Sequence, residues 1–200
     1  TVTINTEGTK AYVTNSGGTT VSIIDIATNT VTGTITGFDG PSGFVITPDG
    51  KTAYVNNYGS SAGVGSGNGT TINVVNLNTN TISGTITVGL APASLAITPD
   101  GTRVYTINYV DGNPGTGTMS IIQVSSNTVV GTINGFFGPF GIAITPDGTT
   151  AYVTNFGSNN FSPISGGIAP NVVSGTTVSV VNLNSNTVQK TITLGNQPAG

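Results

Sequence analysis

The chain has no cysteine, no histidine and no tryptophan in 200 residues, and only four Lys/Arg against seven Asp/Glu. Each absence removes a class of function. Without His or Cys there is no common zinc, haem or iron–sulfur site, no thiol nucleophile and no Ser-His-Asp triad. Four basic residues leave no electrostatic footprint for nucleic acid or anionic lipid. No run of about 18 apolar residues occurs, so nothing reads as a membrane span. No basic start leads into an apolar stretch, so no signal peptide is read, and a chain beginning with Thr is expected to be a processed product or a piece of something longer. Zero Cys fits a reducing cytosol or a disulfide-free bacterial or archaeal surface protein, and the scarcity of charge favours the surface.

What the chain has instead is hydroxyls, amides and glycine: 36 Thr, 22 Asn and 30 Gly. Counting glycine with the apolar side chains, and leaving out tyrosine, brings the apolar share into the usual globular range of about 45–50%. Those apolar residues are mostly Val and Ile, and Thr is also β-branched, so the bias is toward strand.

An internal repeat organises the sequence. Ile46-Thr47-Pro48-Asp49-Gly50 returns as Ile97-Thr98-Pro99-Asp100-Gly101 and Ile144-Thr145-Pro146-Asp147-Gly148, with a degenerate first copy, Ile4-Asn5-Thr6-Glu7-Gly8. The copies are spaced by 42, 51 and 47 residues. A Tyr follows each one: Tyr12, Tyr54, Tyr105 and Tyr152. Four short strands fit each unit. Strand a is a short apolar run (44–47, 95–98), the Pro-Asp-Gly is a tight turn, strand b carries the Tyr, strand c is 21–26 and its equivalents, and strand d is 30–36 and its equivalents. Four antiparallel strands per unit is the pattern of a propeller blade, and no segment shows a helical period. The expected fold is all-β, a β-propeller of four four-stranded antiparallel blades. The blades span 1–43, 44–94, 95–141 and 142–200, either complete or as part of a larger or multi-chain assembly.

Tyr12-Val13-Thr14-Asn15 and Tyr152-Val153-Thr154-Asn155, with the variants Tyr54-Val55-Asn56-Asn57 and Tyr105-Thr106-Ile107-Asn108, resemble the motif of the YVTN-repeat β-propellers. The resemblance extends over the whole chain. It implies a propeller of the archaeal surface-layer or bacterial cell-surface and secreted kind, some of which are described by analogy as lactonase-like.

The units differ chiefly in the link between strands b and c: 16–20, 58–71, 109–118 and 156–177. In an antiparallel blade the b–c and d–a links leave the same face, so the insertions gather on one rim with Phe38, Phe136, Phe137 and Phe140. The candidate interaction rim is Tyr58, Tyr109, Phe136, Phe137, Phe156, Phe161 and Ile164. The last link, with Phe156, Phe161, Pro163, Ile164, Ile168 and Pro170, is apolar enough to be expected to pack on a neighbouring blade or subunit. Two N-glycosylation sequons, Asn68-Gly69-Thr70 and Asn160-Phe161-Ser162, fall in these links.

The acids offer little chemistry. Asp49, Asp100 and Asp147 sit in the repeated turn, where a carboxylate binds local backbone N–H groups, and Glu7 takes that place in the first unit. Asp25 is replaced by Asn76, Gln123 and Asn182 in the other units, which marks a hydrogen-bonding position. Asp39 and Asp111 remain as weak Ca²⁺ candidates, without D-x-D-x-D spacing. A hydrolase would need a base, a metal or an activated nucleophile, and none is visible. No catalytic residue and no cofactor is expected. The repeated Tyr is read as packing between blades. The Thr-rich strand d is an outer edge, read as solvated by hydroxyls, with O-glycosylation and subunit pairing as alternatives.

The repeat starts in strand a and stops in the lead-in to another strand a. Three closures follow: four blades alone, two chains in an eight-bladed ring, or a tandem chain or end-to-end polymer. The expected function is a non-enzymatic extracellular or cell-surface module, structural or adhesive, with itself as partner in a layer or fibre. The alternative is a propeller that binds a surface glycan or protein through the b–c rim, and a lactonase-like enzyme is a distant third.

Overall fold

Each repeat unit closes its turns with its own side chains, and the strands follow from that. In the strand a to b turn the Thr47 hydroxyl donates to Asp49 Oδ1 (2.6 Å), the Lys51 N–H donates to the same oxygen (3.1 Å), and Gly50 takes φ +72°. Asp100 and Asp147 repeat the arrangement with Thr98 and Thr145. In the first unit Asn5 does the work, accepting the N–H groups of Thr9 and Lys10 at Oδ1. The strand c to d turn ends each time on an Asn in the left-handed region: Asn29, Asn80, Asn127 and Asn186, with φ between 52 and 55°. Asn tolerates that region better than other side chains because its short amide bonds locally.

The structure is a computed structural model that describes residues 1–59, 67–109, 116–158, 173–196 and 198–199. Among these residues there is no helix, and the strands form four separate four-stranded antiparallel sheets. The first holds β1 (Val2–Ile4), β2 (Lys10–Asn15), β3 (Thr20–Asp25) and β4 (Thr30–Thr36). The second holds β5 (Pro41–Ile46), β6 (Thr52–Asn57), β7 (Thr71–Asn76) and β8 (Thr81–Thr87). The third holds β9 (Pro92–Ile97), β10 (Arg103–Asn108), β11 (Gly117–Gln123) and β12 (Thr128–Phe136). The fourth holds β13 (Pro139–Ile144), β14 (Thr150–Ser158), β15 (Val173–Asn182) and β16 (Thr187–Thr193). Every sheet is a simple meander in chain order, so the fold is the all-β, propeller-like one that the repeat implies.

Strand a is longer than its apolar run. It starts at Pro41, Pro92 and Pro139, upstream of the 44 and 95 read from the sequence. The Gly-Pro pair reads as a link, but Pro lacks an N–H and is tolerated on an edge strand. Here it pairs with the Asn that ends strand b, as in Pro41 with Asn57, across a bulge before Phe44.

The sheets pack face to face in chain order. Strand a is innermost, where β5 packs on β9 and β9 on β13, while the outer strands β4, β8, β12 and β16 touch only lightly and splay apart. Three apolar clusters fill the three junctions. Tyr12, Val21, Ile23 and Ile35 of the first sheet meet Phe44, Val55 and Val75 of the second. Tyr54, Ile72, Val74 and Ile86 of the second meet Leu95, Val104 and Ile122 of the third. Tyr105, Met119, Ile121 and Ile133 of the third meet Ala151, Val153 and Val181 of the fourth. Among the described residues no comparable cluster joins the fourth sheet to the first, so the sheets form an open arc.

The links between sheets are pinned by close backbone approach. Gly138 adopts φ +53°, and a Cβ there would overlap the Gly157 carbonyl. Left-handed backbone costs a non-glycine residue roughly 1–2 kcal/mol and overpacking about 1–3 kcal/mol. Gly138→Ala is expected to lower unfolding stability by about 3 kcal/mol on these terms, read from urea denaturation of the variant beside the parent.

Candidate interaction surfaces

The repeated Asn at the end of strand b is a structural clamp. Its Nδ2 donates to two side chains on strand c: Asn15 to Thr20 and Ser22, Asn57 to Thr71 and Asn73, Asn108 to Thr118 and Ser120, Asn155 to Thr177 and Ser179, all between 2.8 and 3.0 Å. In two sheets its Oδ1 also accepts the backbone N–H of the incoming link, from Asp39 to Asn57 (3.1 Å) and from Phe137 to Asn155 (3.3 Å). The third copy lacks this: among the described residues Asn108 Oδ1 is buried without a partner, where Gly89 replaces the bulkier Phe38 and Phe136 of the other links.

The acids are engaged in the same local way. Bonds from Thr47, Thr98 and Thr145 and from nearby backbone N–H groups hold the Asp49, Asp100 and Asp147 carboxyls below their ordinary range. Asp25 is held low by the Thr28 N–H and hydroxyl, and its amide counterparts Asn76 and Asn182 bind the same turn. Asp39 is half-buried in the first link, and Asp111 lies outside the described residues. Among the described residues no three metal-ligating side chains come together. A polar cleft of about 250 Å³ lies between the first two sheets, lined by Glu7, Lys10, Tyr12 and Asn78. Burial, and then the Glu7 carboxylate, push the Tyr12 phenol up, which keeps it protonated and poorly suited as a nucleophile.

The aromatic rim separates into two groups. Phe136 is fully buried in the junction between the third and fourth sheets, and Phe38 is buried in the first junction, so neither is a surface residue. The physical reason is the turn out of strand d: Gly37 and Gly135, at φ +99° and +97°, fold the next side chain inward. Phe137 and Phe156 are half-buried, and Phe156 lies 5.4 Å from the ring of exposed Phe140. Tyr58 and Tyr109 are half-buried at the bases of their links, the latter donating its hydroxyl to the Gly157 carbonyl (3.0 Å). Asn68 is exposed. Phe161, Ile164 and Asn160 lie outside the described residues.

The arrangement that residue-by-residue reading missed is at the ends of the arc. Tyr12, Tyr54 and Tyr105 are 2%, 0% and 1% exposed, but Tyr152 at the same position of the fourth sheet is 43% exposed. Ile192 is exposed beside it, where its counterparts Ile35, Ile86 and Ile133 are buried, and Leu194 is exposed two residues on. At the other end, Val2 and Ile4 are 64% and 59% exposed at the positions of Phe44 and Ile46. Val31 is exposed on the same sheet, at the position where Ile82 packs into the first junction. The fourth sheet thus presents the face that every earlier sheet turns toward its successor. The first presents the face that every later sheet turns toward its predecessor. The phase of the repeat held this signal, because each face is periodic in the sequence.

No protein-family model matches the chain. A stretch of 41 residues is 58% identical to the PE-PGRS family protein PE_PGRS18 of Mycobacterium tuberculosis, covering 20% of this chain and 9% of that one. In structure the whole chain resembles a chain of the Kuenenia stuttgartiensis hydrazine synthase, with a TM-score of 0.79 at 20% identity over 49% of that chain. A functionally unknown protein from Desulfotomaculum acetoxidans is similar too, with a TM-score of 0.73 at 17% identity, over 98% of this chain and 56% of that one. The chain therefore spans about half the length of these solved chains, and its matched stretch of 41 residues about a tenth of the mycobacterial protein. These likenesses concern the fold.

Two outcomes follow from the clamp and the acids. Asn155→Ala removes two donated bonds and leaves the buried Ser179 hydroxyl and the Phe137 N–H unmatched, so it is expected to cost about 2–3 kcal/mol by denaturant titration. The turn carboxyls titrate lower when folded than when unfolded, so the stability they contribute is complete above their ordinary pKa of 3.8 and is lost as pH falls through the folded values. The melting temperature is expected to fall on acidification below that point, and Asp49→Asn, Asp100→Asn and Asp147→Asn combined should flatten the fall.

Proposed function

We propose that this chain is a non-enzymatic structural and adhesive module of the YVTN-repeat type, placed on the outside of a bacterial or archaeal cell and built to associate with its own kind. The observation that carries the reading is the face-to-face packing of the sheets, in which each copy of the repeat buries Tyr, Val and Ile side chains against the next copy. A repeat whose apolar faces fit its own copies is suited to contact between like units. The polar chemistry of the repeat supports it as well. The motif Asn, Thr and Asp side chains are engaged in holding strands and turns together. The match of 41 residues to a protein in which it makes up 9% of the length supports a unit reused in different chains.

A second reading, a propeller that binds a glycan or a protein at its rim, is favoured by one observation. Phe140 is exposed and packed against Phe156, a pair of rings beside the longest b–c link.

Fractionation of the source cells tests the placement. The protein is expected in surface washes and in immunogold label on the envelope, and recovery in the cytosolic fraction overturns it. Binding of the soluble protein on a glycan array, lost in Phe140→Ala, would move the function to the second reading.

A further inference from the structure

We infer that the polar cleft between the first two sheets binds a small zwitterion, a free amino acid with a short side chain, with Glu7 holding its ammonium group and Lys10 its carboxylate. Such a site is independent of the self-associating role above. Its walls are the strand a to b turn and strand b of the first sheet and two turns of the second, which meet within the chain.

The first repeat copy reads Asn5-Thr6-Glu7-Gly8 where the others read Thr-Pro-Asp-Gly, and these departures line the cleft. In the other copies the turn carboxylate is taken up locally, Asp49 by Thr47 and the Lys51 N–H, Asp100 by Thr98 and Thr102. In the first copy Asn5 Oδ1 accepts the backbone N–H groups instead, and Glu7 is exposed with one bond, from Asn5 Nδ2 (3.1 Å). At the next two junctions a proline ring covers the glycine of the following turn: a Cβ on Gly101 would meet Pro48, and one on Gly148 would meet Pro99. Over Gly50 the Thr6 hydroxyl stands in that place. The third junction carries Arg103 at the position of Lys10, but there Asp100 is engaged and Pro99 covers the turn.

Lys10 and Tyr12 are two residues apart on β2, so both face the second sheet. Tyr12 is 2% exposed and lines the cleft, and its hydroxyl makes no hydrogen bond among the described residues. At the second junction the matching Tyr54 hydroxyl donates to Asn127 Oδ1 (2.6 Å). At the first, the counterpart Asn80 Oδ1 is buried without a partner among the described residues. Buried polar groups are satisfied as a rule, so an open phenol on a cleft points to a ligand that completes it. Burial keeps that phenol protonated, able to donate or accept.

Charge selects the ligand. The chain has four Lys/Arg and seven Asp/Glu, and meets its other polar needs with amides and hydroxyls. Here it sets one acid and one base on a cleft of about 250 Å³, and the two form no ion pair with each other. Asp25, opposite Lys10 on β3, forms no ion pair with it either and bonds to Thr28. A neutral sugar is held well by amides and hydroxyls alone. A molecule with an ammonium and a carboxylate needs one charge of each sign, and charge-assisted hydrogen bonds are the strong ones. The cleft is smaller than the roughly 300–1,000 Å³ of drug-sized sites, which limits the ligand to amino-acid size.

Titration of the isotope-labelled protein with glycine, followed by amide NMR shifts, tests this. Saturable shifts are expected at Glu7, Lys10, Gly50 and Asn78. N-acetylglycine and glycine methyl ester each lack one charge, and each is expected to bind at least about tenfold more weakly. Glu7→Gln, Lys10→Met and Tyr12→Phe are each expected to weaken glycine by roughly tenfold. Tyr12→Phe keeps the ring stacked on Phe44 and removes a hydroxyl with no bond in the fold, so its melting temperature should match the parent. Arg103→Met should bind glycine as the parent does. The absence of saturable shifts with glycine, alanine and serine overturns the site. Glucose binding as tightly as glycine overturns the zwitterion as its ligand. Variants at Glu7, Lys10 and Tyr12 that bind glycine like the parent overturn the roles given to them.

Discussion

A four-stranded sheet with apolar side chains on both faces cannot be stable alone in water, and the rest of this structure depends on that constraint. Burial of apolar surface stabilises by roughly 25 cal/mol per Å² removed from water, so a two-faced sheet is stable only between two neighbours. The chain answers by repetition. Val21 and Ile23 point forward to the next sheet, while Val75 and Leu77 point back to the previous one, and the same alternation recurs in strand c throughout. The period of two along each strand becomes a stack of sheets, and the stack supplies every interior face but leaves two outermost ones.

The scarcity of charge has a related cause. A repeat that must meet its own copies through inner strands and turns needs polar groups that bond in a fixed geometry, and neutral amides and hydroxyls do so with little desolvation penalty. Asn57 Nδ2 is satisfied by Thr71 and Asn73 inside a buried seam where a lysine would need a counter-charge. In the c–d turns the Thr28–Thr30, Thr79–Thr81, Ser126–Thr128 and Ser185–Thr187 hydroxyl pairs lie within 2.9 Å, so even exposed turns are closed by hydroxyls. Asp25, Asp49, Asp100 and Asp147 are fixed in turns.

Much of this was legible in the sequence because repetition averages out local ambiguity. Four copies of Tyr-x-x-Asn fix the phase of strand b, and the structure places Tyr12, Tyr54 and Tyr105 in the interior as that phase requires. Reading failed where a residue's role depended on a neighbouring glycine or on position in the stack. Phe136 looks like a rim aromatic in a Gly/Phe-rich link, and only the positive φ of Gly135 sends it into the core. Pro41 looks like a break, yet an edge strand admits it. Tyr152 shares its Tyr-Val-Thr-Asn motif with buried Tyr12, yet no sheet packs on it among the described residues, and no local pattern encodes that.

The b–c links show how a fixed scaffold carries variable loops. Their lengths differ widely, but their bases do not. Gly69 and Gly175 each lie two residues before the Thr that pairs with the clamp Asn, and a Cβ on either would overlap the carbonyl of that Asn, Asn57 or Asn155. The Gly18 and Gly69 carbonyls accept the N–H of the next link, from Gly40 and Ala91, which ties the loop base to the adjoining sheet. Length above such a pinch costs only loop-closure entropy, about 0.6 kcal/mol per doubling. A rim can thus diverge from blade to blade while the junction faces stay constant. Packing between sheets and variation between blades fall on different residues, the first on strands and the second on loops.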